Sequence, residues 1–218
     1  MSHSSRDIAA LLLQAGAVLL RPDEPFTFAS GLRSPIYCDN RLMLGEVAAR
    51  RTITAAFAVQ CDDAEIIAGT ATAGIPWAAW AAEETILPLA YVRSSAKGHG
   101  RGRQIEGANV AGRRVVLLED TISTGESALQ AATALREAGA NLLRCVCIFT
   151  WGWAATDARF REAGLELHAL ARIHDMLNVA AECGMLTPEQ RQLVEAWAAN
   201  PQGWTEKFHH KDTKNTKN

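Results

Sequence analysis

The stretch Val115-Val-Leu-Leu-Glu-Asp-Thr-Ile-Ser-Thr-Gly-Glu-Ser127 decides the fold. Its first residues are apolar and predict a buried strand over 114–118, because continuous apolar runs are typical of strands covered on both faces. Two acids follow, then a turn rich in hydroxyl groups and glycine, then a helix over 127–138 that Gly139 closes. A strand, a polar turn and a helix in this order indicate one unit of a parallel α/β sheet.

The rest of the chain continues this alternation on both sides of the quoted stretch. Further strands are predicted at 65–69, 89–92 and 142–149, and further helices at 45–59 and 76–85. Such alternation indicates a central parallel sheet flanked by helices. Ligands bind these sheets at the carboxyl ends of the strands. Three polar or glycine-rich loops leave such ends, at 69–74, 93–107 and 119–127.

The N-terminal segment is apolar from Ile8 to Leu20, as a signal peptide would be. Asp7 precedes this run, however, and no small-residue cleavage site follows it. An amphipathic helix that begins at Ser4 or Ser5 and runs to about Leu20 is therefore predicted. No stretch reaches the ~20 apolar residues of a membrane span, so we expect no membrane partner.

The predicted elements form one domain over residues 1–208, with a small N-terminal hood that lies mainly in residues 1–40. A hairpin or small lobe at 26–39 belongs to this hood. The tail 209–218 is rich in Lys, Asn and Thr, and we expect it to be disordered. With 48% hydrophobic residues, 218 residues suffice for a full core.

Charge and cysteine content exclude several classes of protein. The formal net charge is -2, which argues against a nucleic-acid binder. The five cysteines are odd in number and form no CxxC pair, so neither a disulfide framework nor a zinc site is indicated. Cys145 and Cys147 share one face of a predicted strand and are expected to be buried. A cytoplasmic setting fits these features.

The chemistry of the quoted stretch favours a sugar phosphate as ligand. The turn and the helix start offer backbone N–H groups and the positive end of the helix dipole, which suit a phosphate dianion. The acids at its start would repel a phosphate, and they therefore suit the hydroxyl groups of an attached ribose. An ordinary capped strand–turn–helix is the alternative, but paired acids at a buried strand end are costly without a ligand. The predicted substrate-binding residues are Glu119, Asp120, Thr121, Ile122, Ser123, Thr124, Gly125, Glu126 and Ser127.

The same stretch resembles the signature with which type I phosphoribosyltransferases bind phosphoribosyl pyrophosphate (PRPP). Hydrophobic pairs, an acid pair and a hydroxyl-Thr-Gly turn occur in register. Thr121 stands where an aliphatic residue is common, and Glu126 stands where a small one is common. Glu126 suits a helix start, but it must point away from the phosphate. The resemblance implies that PRPP binds here.

A second anion site is expected from the two other loops. Gly69–Gly74 has Walker A spacing but continues as Ile75-Pro76, so it indicates no nucleoside triphosphate, although its N–H groups can still bind an anion. Gly98–Gly102 lacks the spacing of a dinucleotide fingerprint. The loop 93–107 carries cations suited to pyrophosphate, unless it is only a solvated charged loop. These cations are Arg93, Lys97, His99, Arg101 and Arg103.

Two further blocks extend the resemblance to the orotate phosphoribosyltransferase family. Phe28–Arg41 resembles that family's hood, and Tyr91–Gly100 with Gln104–Gly107 resembles its catalytic loop. The resemblance implies a glycosyltransferase that moves ribose 5-phosphate from PRPP to N1 of orotate, giving orotidine 5'-monophosphate and pyrophosphate in UMP biosynthesis. It also implies Mg2+ as cofactor and a homodimer that shares loop 93–107 across its interface. By the same resemblance, Arg93, Lys97 and His99 are the catalytic residues.

Other positions depart from the family, so the contact to the orotate carboxylate is unassigned. Ser123 matches a position that also touches orotate, and Arg33 and Arg41 are either orotate ligands or surface residues. Some members have Lys at Ala29, Ala73 and Ser94, and an Arg within the stretch that reads Thr150-Trp151-Gly152-Trp153 here. The alternatives are a phosphoribosyltransferase for another base and a non-catalytic PRPP-sensing regulator.

Overall fold

A computed structural model describes residues 4–28, 31–94 and 104–204 of the chain. The helices are α1 (Ser5–Gln14), α2 (Val47–Val59), α3 (Gly74–Thr85), α4 (Glu126–Glu137), α5 (Ala154–Glu162), α6 (Ile173–Glu182) and α7 (Pro188–Ala199), with a 3-10 helix at Asn40–Leu44. The strands are β1 (Val18–Leu20), β2 (Phe26–Thr27), β3 (Arg33–Ser34), β4 (Ile36–Cys38), β5 (Ile66–Thr70), β6 (Leu89–Val92), β7 (Ile105–Gly107), β8 (Arg114–Ile122), β9 (Asn141–Thr150) and β10 (Glu166–Arg172).

The described part of the chain contains one central sheet of six strands, in the order β10-β9-β8-β5-β6-β7. All neighbours in it are parallel except β6 and β7, which are antiparallel. β8 therefore lies in the middle, between β5 and β9. The prediction of a central parallel sheet flanked by helices is confirmed.

Apolar side chains cover both faces of this sheet, because the strands alternate between two buried clusters. Val146 and Ile148 of β9 pack with α1, α2, α3, α6 and α7, whereas Cys145 and Cys147 pack against α4 and Phe160 of α5. The two cysteines are fully buried, as their spacing predicts. This double burial holds the carboxyl end of β8 in the interior of the fold.

The hood is a set of short antiparallel pairings. β1 pairs with β4 and β2 pairs with β3, so the predicted hairpin is present. Tyr37 contacts the rings of Phe26 and Phe28. The indole N–H of Trp197 in α7 donates to the Arg33 carbonyl at 3.0 Å, which joins the C-terminal helix to the hood.

Three predicted boundaries are wrong. The first helix ends at Gln14 rather than near Leu20, because Gly16 turns the chain with a φ of 70° and 18–20 then pair with β4. The central strand runs on to Ile122, because its last residues pair with β9 as far as Thr150. The helix after loop 69–74 begins at Gly74, two residues earlier than predicted.

Loop 93–107 is also shorter than predicted, because its last three residues form β7 along the edge of β6. The middle of this loop and the predicted disordered tail 209–218 lie outside the described residues. Within the described residues, no helix is long and apolar enough to cross a membrane.

Candidate functional site

A cavity of about 320 Å³ opens at the carboxyl end of β8. It is lined by Thr121, Ile122, Ser123, Thr124, Gly125, Glu126, Ser127 and Gln130. Seven of the nine predicted substrate-binding residues thus surround one open space, and the turn is not filled by its own side chains. Gln130 was missed because it lies one helical turn beyond the quoted stretch.

Hydrogen bonds from β9 and α5 hold the turn from outside. Thr150 Oγ1 donates to the Ile122 carbonyl at 2.9 Å, and Thr156 Oγ1 donates to the Ser123 carbonyl at 2.6 Å. Arg159 Nη1 donates to the Thr124 carbonyl at 2.9 Å. Three successive carbonyls are therefore occupied, while the first N–H groups of α4 have no acceptors within the helix. This arrangement suits an anion.

Gly125 gives the turn its shape, because it has a φ of 75° and directly precedes α4. A Cβ atom at this position would lie 2.5 Å from Cε2 of Phe160. The sequence indicates the glycine, but it does not show that Phe160 closes the space behind it.

The acid pair lies inside the end of β8, beside the cavity. Glu119 is buried, and its Oε1 accepts from the Asp120 N–H at 3.0 Å. Asp120 Oδ1 in turn accepts from the Thr121 N–H at 2.7 Å. Burial, and then the charge of Asp120, raise the pKa of Glu119 to about 8, and burial also raises the pKa of Asp120. The pair thus carries less negative charge near a bound phosphate than two exposed acids would.

The predicted second anion site, at 69–74, packs against the acid pair. A Cβ atom on Gly74 would lie 2.5 Å from the Leu118 carbonyl oxygen, so α3 starts in direct backbone contact with β8. Thr70 lies close to Leu118 as well, with its Oγ1 3.5 Å from the same carbonyl. The peptide bond between Ala71 and Thr72 is cis. Two of the three predicted loops therefore meet at one place.

The third loop is described only at its two ends. The Arg93 N–H donates to the Gln104 carbonyl at 2.9 Å, and Gln104 Nε2 donates to the Arg93 carbonyl at 2.8 Å. The Arg93 guanidinium lies 3.9 Å from Glu106 Oε1. Lys97 and His99, the other two predicted catalytic residues, lie outside the described residues.

Asn40 of the hood contacts the site, although its sequence block gave no sign of this. Its side chain is buried, and its Nδ2 donates to the Asp120 carbonyl at 3.0 Å and to Thr121 Oγ1 at 2.9 Å. Thr121, the unusual residue of the signature, is therefore an acceptor for the hood. No local pattern reports a contact between positions 80 residues apart.

Glu126 is exposed and lines the cavity, and its Oε1 accepts from Gln130 Nε2 at 3.3 Å. This contact draws the carboxylate along α4. That Glu126 points away from a bound phosphate stays a prediction.

Of the two arginines proposed for the orotate carboxylate, Arg41 has a side-chain partner, whereas the contact described for Arg33 is made by its backbone. Arg41 forms a two-point ion pair with Asp39, at 2.7 and 2.8 Å, and its side chain is 66% exposed. The Arg33 carbonyl accepts from Trp197, whose ring also contacts Trp151 and Trp153. Trp151 and Trp153 thus pack the end of β9 against α7.

Comparisons with known proteins agree with this geometry. The sequence matches the phosphoribosyl transferase domain family over residues 45–161. An orotate phosphoribosyltransferase of Bacillus caldolyticus is 46% identical over 202 residues, covering 91% of this chain and 98% of that protein. One of Listeria monocytogenes is 44% identical over 203 residues, covering 91% and 97%. The crystal structure of orotate phosphoribosyltransferase from Aeropyrum pernix is similar, with a TM-score of 0.69 and 30% identity over 83% and 99% of the two chains.

Proposed function

The chain belongs to the phosphoribosyltransferase family, within its orotate phosphoribosyltransferases. From this premise we propose that it transfers ribose 5-phosphate from PRPP to N1 of orotate, giving orotidine 5'-monophosphate and pyrophosphate in UMP biosynthesis. The observation that carries this proposal is the coincidence of the open cavity at 121–127 with the buried acid pair at its edge. A phosphate in the cavity places its attached ribose beside those acids.

In this proposal the turn holds the 5-phosphate through the N–H groups at the start of α4 and the hydroxyls of Ser123, Thr124 and Ser127. Glu119 and Asp120 hold the ribose hydroxyls. A carboxyl group with a pKa of about 8 is largely protonated at neutral pH, so Glu119 can donate as well as accept a hydrogen bond. Neither acid is a nucleophile, because direct displacement needs no covalent intermediate.

The bond from C1 to the pyrophosphate oxygen breaks and its electron pair leaves with the pyrophosphate, while N1 of orotate loses its proton to the leaving group or to solvent and forms its bond to C1 from the opposite face. The sugar has oxocarbenium character between these events. Arg93, Lys97 and His99 stabilise the negative charge that builds on the pyrophosphate. His99 either stabilises charge or transfers a proton, since its titration near neutral pH permits both.

Mg2+ is the proposed cofactor. The described residues contain no group of three or more His, Cys, Asp or Glu side chains that could hold a metal ion. We propose that the magnesium is held mainly by PRPP oxygens and water, as is common in phosphate sites. When bound, the ion supplies positive charge that neutralises the pyrophosphate.

A homodimer is proposed on the face formed by α2 and α3. A groove of about 310 Å³ there is lined by Arg50, Arg51, Thr54, Ala55, Trp80, Glu83 and Glu84. Val47 at the start of α2 is 57% exposed. A face that presents both arginines and glutamates is self-complementary under a two-fold axis, which supports an isologous contact.

Subunit mixing tests whether loop 93–107 is shared across the interface. Lys97→Ala and Gly125→Ala subunits should each lose most of their activity alone, the first through the loop and the second through the turn. A mixed dimer should regain activity if the loop of one subunit completes the turn of the other. No recovery in verified mixed dimers would show that each site is built from one chain.

A cytoplasmic location is also proposed. All five cysteines are free in the structure, which fits a reducing compartment.

The proposed activity is tested by the loss of orotate absorbance with PRPP and Mg2+. We expect turnover with orotate and none with hypoxanthine or adenine. Product from a purine base without orotate turnover would indicate a different base, and PRPP binding without turnover on any base would indicate a regulator.

A further inference from the structure

Asn40 occupies an unusual place, because it is a polar side chain buried between the hood and the end of the central strand. It is 1% exposed and begins the 3-10 helix that follows β4. A buried amide is costly unless its donors and acceptor are used. Two of the residues that it contacts, Asp120 and Thr121, lie next to the cavity.

The contacts fix which way the amide faces. The Asp120 carbonyl can only accept a hydrogen bond, so the group 3.0 Å away must be the NH2 group of Asn40. The same NH2 group donates to Thr121 Oγ1 at 2.9 Å. The remaining oxygen of the amide lies 3.5 Å from the Cys38 sulfur, within reach of the thiol as donor. All three polar positions of the amide are therefore used.

The backbone at Asp120 needs this partner because β8 is longer than its neighbour. Pairing of β8 with β5 ends at Gly69 and Leu118, whereas pairing with β9 continues to Ile122. The last residues of β8 therefore have a strand on one side only. Asn40 supplies a hydrogen bond to this overhanging segment, and it comes from the hood rather than from the sheet.

We propose that Asn40 is a positioning residue. By donating hydrogen bonds to the Asp120 carbonyl and the Thr121 hydroxyl, it makes the geometry of the sugar-phosphate site depend on the packing of the hood against the end of β8. Asn40 acts through the backbone of the acid pair and through the first residue of the turn. PRPP affinity is then set partly by the hood. This inference rests on the proposed function, because it concerns the same site.

The test compares Asn40→Ala, Thr121→Val and the double variant with the wild-type protein. We expect Asn40→Ala to raise the KM for PRPP by about tenfold and Thr121→Val by about threefold, as for loss of two or one hydrogen bonds. The double variant should be no worse than Asn40→Ala, because the Thr121 contact is already lost. The kcat at saturating substrates should change less than KM.

Thr121→Val keeps the inference testable should Asn40→Ala fail to fold, because it removes one contact from the opposite side with little change in volume. Asn178→Ala is the matched control, since Asn178 is exposed on α6. It should leave both constants unchanged. A purely structural role would lower the thermal midpoint and the active fraction but leave the KM for PRPP unaltered.

An unaltered KM for PRPP in both folded single variants would overturn the inference, as would effects that multiply fully in the double variant. Failure of the proposed function looks different, because the wild-type protein itself would then neither bind PRPP nor consume orotate.

Discussion

The backbone N–H of Asp120 donates to Oε1 of Glu119 at 3.0 Å, so the side chain of one acid is hydrogen-bonded to the backbone of the next. This bond ties the buried carboxylate to the segment of β8 that passes the cavity. The acid pair is therefore ordered before any ligand enters.

Glu119 should make the unliganded protein less stable as pH rises. Its pKa is about 8 in the folded state against a usual 4.5. Between these values the folded protein holds a proton that the unfolded chain releases, so the free energy of unfolding falls with increasing pH. The contribution is complete below about pH 4.5 and lost above about pH 8.

Urea unfolding of Glu119→Gln and wild type from pH 5 to pH 8 measures this effect. The variant should lose less stability than the wild type over this range. Glu137→Gln, an exposed acid at the end of α4, is the control and should follow the wild type. Parallel curves for all three proteins would refute the prediction.

Gly125→Ala should unfold more easily than wild type and lose PRPP binding. The left-handed conformation costs an alanine roughly 1–2 kcal/mol. Contact of the new Cβ with Phe160 adds about 1–3 kcal/mol. Gly112→Ala is the matched control, because Gly112 has a φ of 71° with nothing within 4 Å of an added Cβ.

Denaturant unfolding separates the two contributions, because Gly112→Ala should be destabilised only by the left-handed backbone conformation and not by a contact with Phe160. Equal destabilisation of the two variants would show that the Phe160 ring moves aside with no further loss in the free energy of unfolding.

Gly74→Ala should lower PRPP turnover although alanine is the better helix former. The added methyl would lie 2.5 Å from the Leu118 carbonyl oxygen and push α3 away from the acid pair. We expect a loss of stability of about 1–3 kcal/mol from this crowding. Gly45→Ala serves as control, because the nearest atom to its Cβ is 3.7 Å away. Wild-type kinetics in Gly74→Ala would mean that loop 69–74 is not part of the site.

Lys97→Ala should reduce turnover roughly 100- to 1,000-fold while PRPP binding falls much less, because a donor aimed at developing charge acts mainly in the transition state. Stopped assays give kcat, and calorimetry gives the Kd of PRPP. Arg113→Ala removes a cation at the opposite end of β8 and should change neither quantity. Equal losses of binding and turnover would contradict a leaving-group role.

The central strand, its turn and the helix after it are predictable from the sequence, because a buried parallel strand requires an apolar run and a phosphate turn requires glycine and hydroxyl groups. The end of β8 is not predictable in this way. Glu119 and Asp120 are poor strand formers, and the strand continues through them because it pairs with β9.

The other features that could not be predicted from the sequence are long-range contacts. Asn40 reaches Thr121 across 81 positions, and Trp197 reaches Arg33 across 164. Each depends on how separate elements pack, so neither leaves a periodic or local pattern. Phe160 is similar, because its role behind Gly125 appears only once α5 is placed.

Titration of ribose 5-phosphate into the 15N-labelled protein, followed by amide chemical shifts, tests most directly whether the turn after β8 binds a sugar phosphate. The largest amide shifts should fall on residues 122–127, with smaller shifts at Glu119 and Asp120. Saturable binding with shifts confined to other parts of the chain, or no binding in the millimolar range, would contradict it.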